Sequence, residues 1–447
     1  MNIRAALYLC LALILSLPVR GLRSARHCVL MSTDNALSSF ESSWGRQGIG
    51  INPNLHVTHS FFNKPPIGNV RGLKVGSEAK GGSEVVSLSL KNCLVASKSR
   101  PSGKIKECLD DEVWSGLLPT TRLSIVLLNE YMQGTNNFKE YLDILPFGNE
   151  MNTPIHWNEE TLLKLRDVYP QLASKVEQQR KNYLSLYTLL TTTAVGKVPF
   201  IEDKKTVPFE RLVWAMESVS ARAFSGVGGL EKDGFQLGAV AAAASVGLAV
   251  SLATQPSVSI PGNIIDRETL TLALGTLGAL ALMPSVVSSQ AGASQCVLLP
   301  VIDSCNHRST GANCEMEYDV ARECFVMKVK ADEGVQAGHE LTLSYGNRDN
   351  DDLLMYFGFV ESANPHDHFV FQGKTGKIRV TKGSREGWET PGVESDTALK
   401  GLLAGELRRL EGLLEENPST EKDTASKLID AFVEEKVKVL KAAIKRC

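Results

Sequence analysis

The chain has 447 residues, 43% of them hydrophobic and 22% charged, which suffices for two or three globular domains that each bury a core. A net charge of −2 leaves no electrostatic footprint for DNA or RNA, so nucleic-acid binding drops out as a function class. Nine cysteines, odd in number and scattered, lack the spacing of a disulfide scaffold or zinc ribbon and read as reduced or buried thiols.

The first element is "MNIRAALYLCLALILSLPVRG", with Arg4, an apolar run from Ala5 to Leu17 and small residues near Gly21. That order predicts a secretory signal peptide over 1–21. The run falls short of the ~20 residues a membrane anchor needs, so cleavage is favoured. The next stretch, "LRSARHCVLMSTDNALSSFESSWGRQ", holds several Arg and Ser and no acid before Asp34, and reads as a candidate transit segment over 22–50. Signal plus transit predicts entry to the secretory route and a plastid of secondary origin.

From about residue 61 to 95, "IGNVRGLKVG" and "GGSEVVSLSLKNCLV" alternate apolar and polar residues between glycines, which predicts a small β unit. The period then becomes helical. "TTRLSIVLLNEYM" places Leu123, Val126, Leu127 and Tyr131 on one stripe behind a Thr cap, and "HWNEETLLKLRDVY" and "PFERLVWAMESVSARAF" follow suit. A helical block thus interrupts a β fold.

Residues 234–290 form an apolar stretch whose only charges are Asp266, Arg267 and Glu268. A membrane hairpin is disfavoured, because Ala and Gly add little insertion energy and Pro284 cuts the second run short. Two helices packed on the protein's own surface, or a loosely ordered insert, are expected instead. Strand patterns return in "EMEYDVARECFVMKVKADEGVQAGHELTLSYG" as a hairpin-like pair. After about residue 375 the chain reads as charged amphipathic helices, closing on a Lys-rich helix end.

One stretch gathers chemistry-bearing residues: "LLPVIDSCNHRSTG" holds Asp303, Cys305, Asn306 and His307. Asp303 and His307 stand at i, i+4 and would share a helix face. Zinc, however, needs three or four protein ligands, and no second Cys or His pair lies nearby. A Cys305–His307 catalytic pair is a weaker reading still. Both readings are weak, and what surrounds the stretch has to decide.

The β, helical, β order, followed by "PVIDSCNH" and "ELTLSYGNRDNDDLLMYFGFV", resembles the SET-domain methyltransferases, specifically the Rubisco large-subunit methyltransferase-like branch, from about Leu73 to the C-terminus. "FKEYLDILP", "IHWNEETL" and "WAMESVSARAFS" match its inserted helical subdomain. The resemblance implies an α+β fold: a split SET β-fold with a pseudoknot-like crossing, an inserted helical subdomain and a C-terminal helical domain. The parts would be an N-terminal SET segment (51–120), the helical insert (121–225), the apolar insertion (226–293), the C-terminal SET segment (294–372) and a helical substrate-binding-like domain (373–447).

It further implies S-adenosylmethionine as methyl donor, a protein substrate and a monomer. Gly72 and Leu73 would form the first donor loop, and Asn306 and His307 would contact the donor. Asp303 would support their turn, and Arg222 would sit where the donor's carboxylate meets the substrate channel. An arginine fork suits a carboxylate. Tyr345 would be the essential tyrosine, aligning the amine rather than acting as a base, since a free phenol has a pKa of about 10. Tyr318 and Phe357 would line the lysine channel.

Three departures stand out. "FGF" replaces the usual "YGF", so Phe357 lacks a hydroxyl; Arg71 stands where an acidic residue is common; and the C-terminal domain looks short. No Cys cluster follows, so no zinc-bound tail is expected. The leading function is lysine N-methylation of a protein. The alternatives are histidine N-methylation, whose imidazole needs less help to be neutral, and a SET-fold binding module without catalysis.

Overall fold

The computed structural model describes residues 26–97, 99, 101, 104–134, 137–191, 201–202, 205–225, 295–415 and 423–447. The expected signal peptide (1–21), the start of the candidate transit segment (22–25) and the apolar insertion (226–293) lie outside the described residues. Among the described residues no helix is long and apolar enough to cross a membrane.

The glycine-punctuated β unit forms as the alternation predicts, though it starts earlier. Strands Thr58–Lys64 and Gly68–Lys74 pair antiparallel, from Thr58 opposite Lys74 to Lys64 opposite Gly68. Strand Glu84–Ser89 joins a second sheet, between Ile49–Ile51 and Cys324–Val329, with Cys314–Asp319 on the outside. The strand "CFVMKV" at Cys324–Val329 is buried at every position but Lys328, because it has a partner on each side. It is a central strand, not a half-exposed one.

The sheet that matters for function runs Asn306–His307, Glu340–Leu343, Gly68–Lys74, Thr58–Lys64. Glu340–Leu343 pairs antiparallel with Gly68–Lys74 but parallel with Asn306–His307, which aligns Asn306 with Thr342 and His307 with Leu343. A parallel pair needs a long connection between its strands. The antiparallel pair Cys314–Asp319 and Cys324–Val329 lies within that connection. The expected crossing is therefore present: residues near 306 lie beside residues near 343.

The helix predicted from Thr121 runs Pro119–Gln133, two residues ahead of the expected start. It uses proline at its first turn rather than a Thr cap, and Gly134 ends it in the left-handed conformation. Its apolar stripe packs with that of Phe209–Arg222 in one core, together with Trp114 and the strands. A second core collects helix Glu159–Val168, the turn Leu353–Phe357, the hairpin His368–Gln372 with Lys377–Thr381, and helices Asp396–Glu415 and Thr424–Ile444. Helix Pro170–Thr191 belongs to both: Leu172, Ala173 and Val176 enter the second core, Tyr183, Leu186 and Leu190 the first.

Two boundaries differ from the sequence reading. Residues 373–447 are not helical throughout, because a hairpin and an irregular stretch precede Asp396. The stretch 22–50 holds helix Arg26–Ser43, and Leu37, Phe40 and Trp44 from it are buried in the first core. Phe40 lies against Trp44 and Tyr141, with both centroid distances 6.0 Å. The later part of that stretch is thus integral to the fold.

Candidate active site at the crossing

The crossing starts on a strained backbone. Val301 is fully buried at φ 75° and ψ −57°, the rare positive-φ γ-turn that a β-branched residue seldom adopts. Strain of this kind costs about 1–3 kcal/mol, persists only where the surroundings enforce it, and clusters at functional sites. The turn Ile302–Ser304 follows, held by Asp303 N–H donating to Leu299 O (3.0 Å) and Ser304 N–H to Val301 O (2.9 Å). Asn306 then donates through Nδ2 to Arg71 O (3.1 Å) and to Glu340 Oε1 (2.7 Å). Only glycine fits opposite: a Cβ on Gly72 would fall 2.5 Å from that Nδ2.

His307 and Tyr345 form the centre. The Tyr345 backbone N–H can only donate, so His307 Nδ1 accepts at 3.0 Å and Nε2 carries the ring hydrogen. That hydrogen faces Ser309 Oγ at 3.0 Å, with the Glu361 carboxylate at 3.6 Å. Burial opposes the Glu361 charge, but hydrogen bonds from His307 and Ser309 outweigh it and hold the carboxyl down at about 2. The Tyr345 hydroxyl donates to Cys305 O (2.7 Å), and burial raises its pKa well above the usual value. It is therefore a fixed hydroxyl, not a base.

Around it stand aromatic faces. Tyr345 lies 4.9 Å from His307 and 5.0 Å from Phe357, both tilted by 31°. Phe359 closes the group, 6.1 Å from His307 and 6.3 Å from Phe357. Phe357 is delivered by the π-turn Leu353–Phe357, which Gly358 ends at φ 72°; a Cβ there would lie 2.1 Å from Met151 O.

The other side of the crossing is polar and buried. Arg222, at the end of helix Phe209–Arg222, donates from one terminal nitrogen to Asp303 O (2.9 Å), while its buried Nε has no partner among the described residues. Asp303 accepts from the Tyr141 hydroxyl through Oδ2 (2.5 Å), and its buried Oδ1 has no partner there either. Burial raises the Asp303 pKa, opposed chiefly by Arg222. Arg71 donates to Ile144 O (2.6 Å); burial, then the neighbouring Arg222 charge, lowers its pKa to about 10. Behind them Glu41 Oε1 accepts from both the backbone N–H and Nδ1 of His59, leaving His59 Nε2 3.3 Å from Ser304 Oγ.

The structure brings together Gly72, Arg222, Asp303, Asn306, His307, Tyr345 and Phe357. Gly72 and Leu73 lie within a strand rather than a loop, and the Leu73 side chain is fully buried in the core. Tyr318 is not brought to Tyr345. It sits on the outer strand of the other sheet, its ring 5.0 Å from that of Phe325 and tilted by 59°, with Glu323, Cys324 and Cys93 as its charged or titratable neighbours. Asp303 and His307 turn to different partners, and among the described residues no three His, Cys, Asp or Glu side chains gather as metal ligands. Sequence reasoning missed Tyr141, Glu340, Glu361, His59 and Glu41, which carry no local signal.

This architecture is the SET-domain fold, of mixed α+β class. No protein-family model matches the chain and no curated protein matches it in sequence. Among solved structures it is similar to the SET domain of LSMT bound to lysine and AdoHcy, at 14% identity and a TM-score of 0.56, covering 92% of this chain and 91% of that one. The methyllysine and AdoHcy complex of the same SET domain has 14% identity, a TM-score of 0.58 and the same coverage. Rubisco LSMT bound to AdoMet has 15% identity and a TM-score of 0.56, again covering 92% and 91%.

Proposed function

We propose that the protein is an S-adenosylmethionine-dependent protein N-methyltransferase acting on lysine. One observation carries the reading: at the crossing, the Tyr345 hydroxyl is fixed on the Cys305 carbonyl among the rings of His307, Phe357 and Phe359. The ligands in the similar solved structures, AdoMet, AdoHcy, lysine and methyllysine, support it.

The residues fit the donor. Arg222 offers a buried Nε–H and Asp303 a buried Oδ1 that have no partners among the described residues, and Gly72 leaves the backbone open to close approach. When bound, the donor supplies a methyl group on a sulfonium, which is already a good leaving group. The protein must deliver a neutral amine in line with it. A free lysine has a pKa of about 10.4, and desolvation among aromatic faces favours its uncharged form. The Tyr345 hydroxyl spends its hydrogen on Cys305 O, so its lone pairs are left to accept an amine N–H and turn the amine's own lone pair toward the methyl. Such alignment accounts for several kcal/mol of a barrier.

Tyr345→Phe removes only the oxygen. Turnover on a lysine peptide should fall on the order of 10²-fold, with donor affinity within about threefold. Unchanged turnover overturns the role of Tyr345. Transfer to histidine peptides but not lysine peptides by the wild-type protein replaces the substrate assignment.

A further inference from the structure

Resting on the methyltransferase reading, we propose that Arg71 is a specificity-determining residue of the donor pocket: with Arg222 it receives the carboxylate of the donor's amino-acid end, whose ammonium turns to Asp303.

The two guanidinium groups act on each other, and among the described residues neither has an anion of its own. Arg222 and Asp303 are the charges that act most strongly on Arg71. Yet the hydrogen bonds of both arginines go to main-chain carbonyls, Ile144 O for Arg71 and Asp303 O for Arg222, and among the described residues neither has a carboxylate at ion-pair distance. The Asp303 carboxylate spends Oδ2 on Tyr141. Asp303 opposes the two guanidiniums most strongly and Glu150 more weakly, so this partly buried place is incompletely compensated and favours an anion that joins the two arginines.

The unpaired atoms say what kind of anion. Among the described residues Arg222 Nε is a donor without a partner, and Asp303 Oδ1 is an acceptor without one on a residue only 6% exposed. A phosphate dianion would satisfy the arginines but face the Asp303 oxygen with like charge. A zwitterionic amino-acid end satisfies both, with its carboxylate on the arginines and its ammonium on Oδ1. Arginine offers a planar fork that matches a carboxylate. The site adjoins the crossing directly, because the Arg71 carbonyl is itself a partner of Asn306.

The test compares S-adenosylmethionine with its decarboxylated analogue, which keeps the ammonium and lacks the carboxylate, by calorimetric titration of the full chain. The wild-type protein should prefer the complete donor by roughly 10- to 100-fold, the range of charge-assisted hydrogen bonds. Arg71→Leu should lower that preference about tenfold while binding the analogue as well as the wild type does. Arg71→Lys, which keeps the charge and serves if the leucine variant does not fold, should retain part of it. A folded variant with unchanged preference overturns the proposal, as does a wild-type protein that binds both compounds equally. A wild-type protein that binds neither sinks the methyltransferase reading itself.

Discussion

Glu217 offers a test of how burial sets the chemistry of the helix that delivers Arg222. It lies in Phe209–Arg222 with no exposed surface, and its carboxyl accepts from Thr153 Oγ1 (2.7 Å), the Tyr183 hydroxyl (2.8 Å) and Gln179 Nε2 (3.2 Å). Burial outweighs those donors and pushes its pKa from 4.5 up to about 7. The folded protein thus holds a proton that the unfolded chain releases above about 4.5. Stability is lost as pH rises from there through 7, by roughly 3 kcal/mol for a rise of about 2.5 in pKa at 1.36 kcal/mol each. Glu217→Gln keeps the shape and an oxygen for Tyr183 and Gln179, turns its amide toward the Thr153 hydroxyl, and carries no titrating proton. Urea unfolding followed by tryptophan fluorescence at pH 5, 6, 7 and 8 should show the variant gaining on the wild type as pH rises, with a total change of roughly 3 kcal/mol. Parallel pH curves for the two proteins would refute the reasoning.

Three further perturbations probe the crossing and its supports. Gly72→Ala forces a Cβ to 2.5 Å from Asn306 Nδ2, so Asn306 must leave Arg71 O and Glu340; thermal melts should show a loss of about 1–3 kcal/mol and calorimetry a weaker donor. Normal donor affinity in that variant would count against the Gly72–Asn306 contact. Lys436, almost wholly buried, lies 2.6 Å from Asp351 and 2.7 Å from Asp367; Lys436→Met strands those carboxylates and should cost about 3–5 kcal/mol, read as faster proteolysis of the C-terminal helices. Phe40→Ala should cost about 3–5 kcal/mol in a urea melt, since Phe40 is wholly buried; an unaffected melt would mean that the N-terminal helix is dispensable to the fold.

The sequence by itself determined the features whose signals are local. Alternation around Gly72 marked strands, the 3.6-residue period marked Pro119–Gln133 and Phe209–Arg222, and the contiguous "PVIDSCNH" and "LSYGN" marked the two segments that cross. Where the signal was composition alone, it failed to discriminate. An Arg- and Ser-containing stretch without acids describes a leader and also the start of a helix, and only the fold shows Phe40 and Trp44 packed beside Tyr141. Tyr318 and Tyr345 look alike as strand-end tyrosines, but register sends one to Phe325 and the other to Cys305 O.

Tertiary structure alone decided which groups meet across the chain. Tyr141 reaches Asp303 over 162 residues, Asn306 reaches the Arg71 carbonyl over 235, and His59 reaches Ser304 over 245. No periodicity encodes such pairs. A strand pattern fixes which face a side chain takes, but its partner depends on which strand lies alongside, and here that is set by the parallel pairing of Asn306–His307 with Glu340–Leu343. The charge of Arg71 could be read from the sequence; that the Arg222 charge acts on it follows only from that crossing.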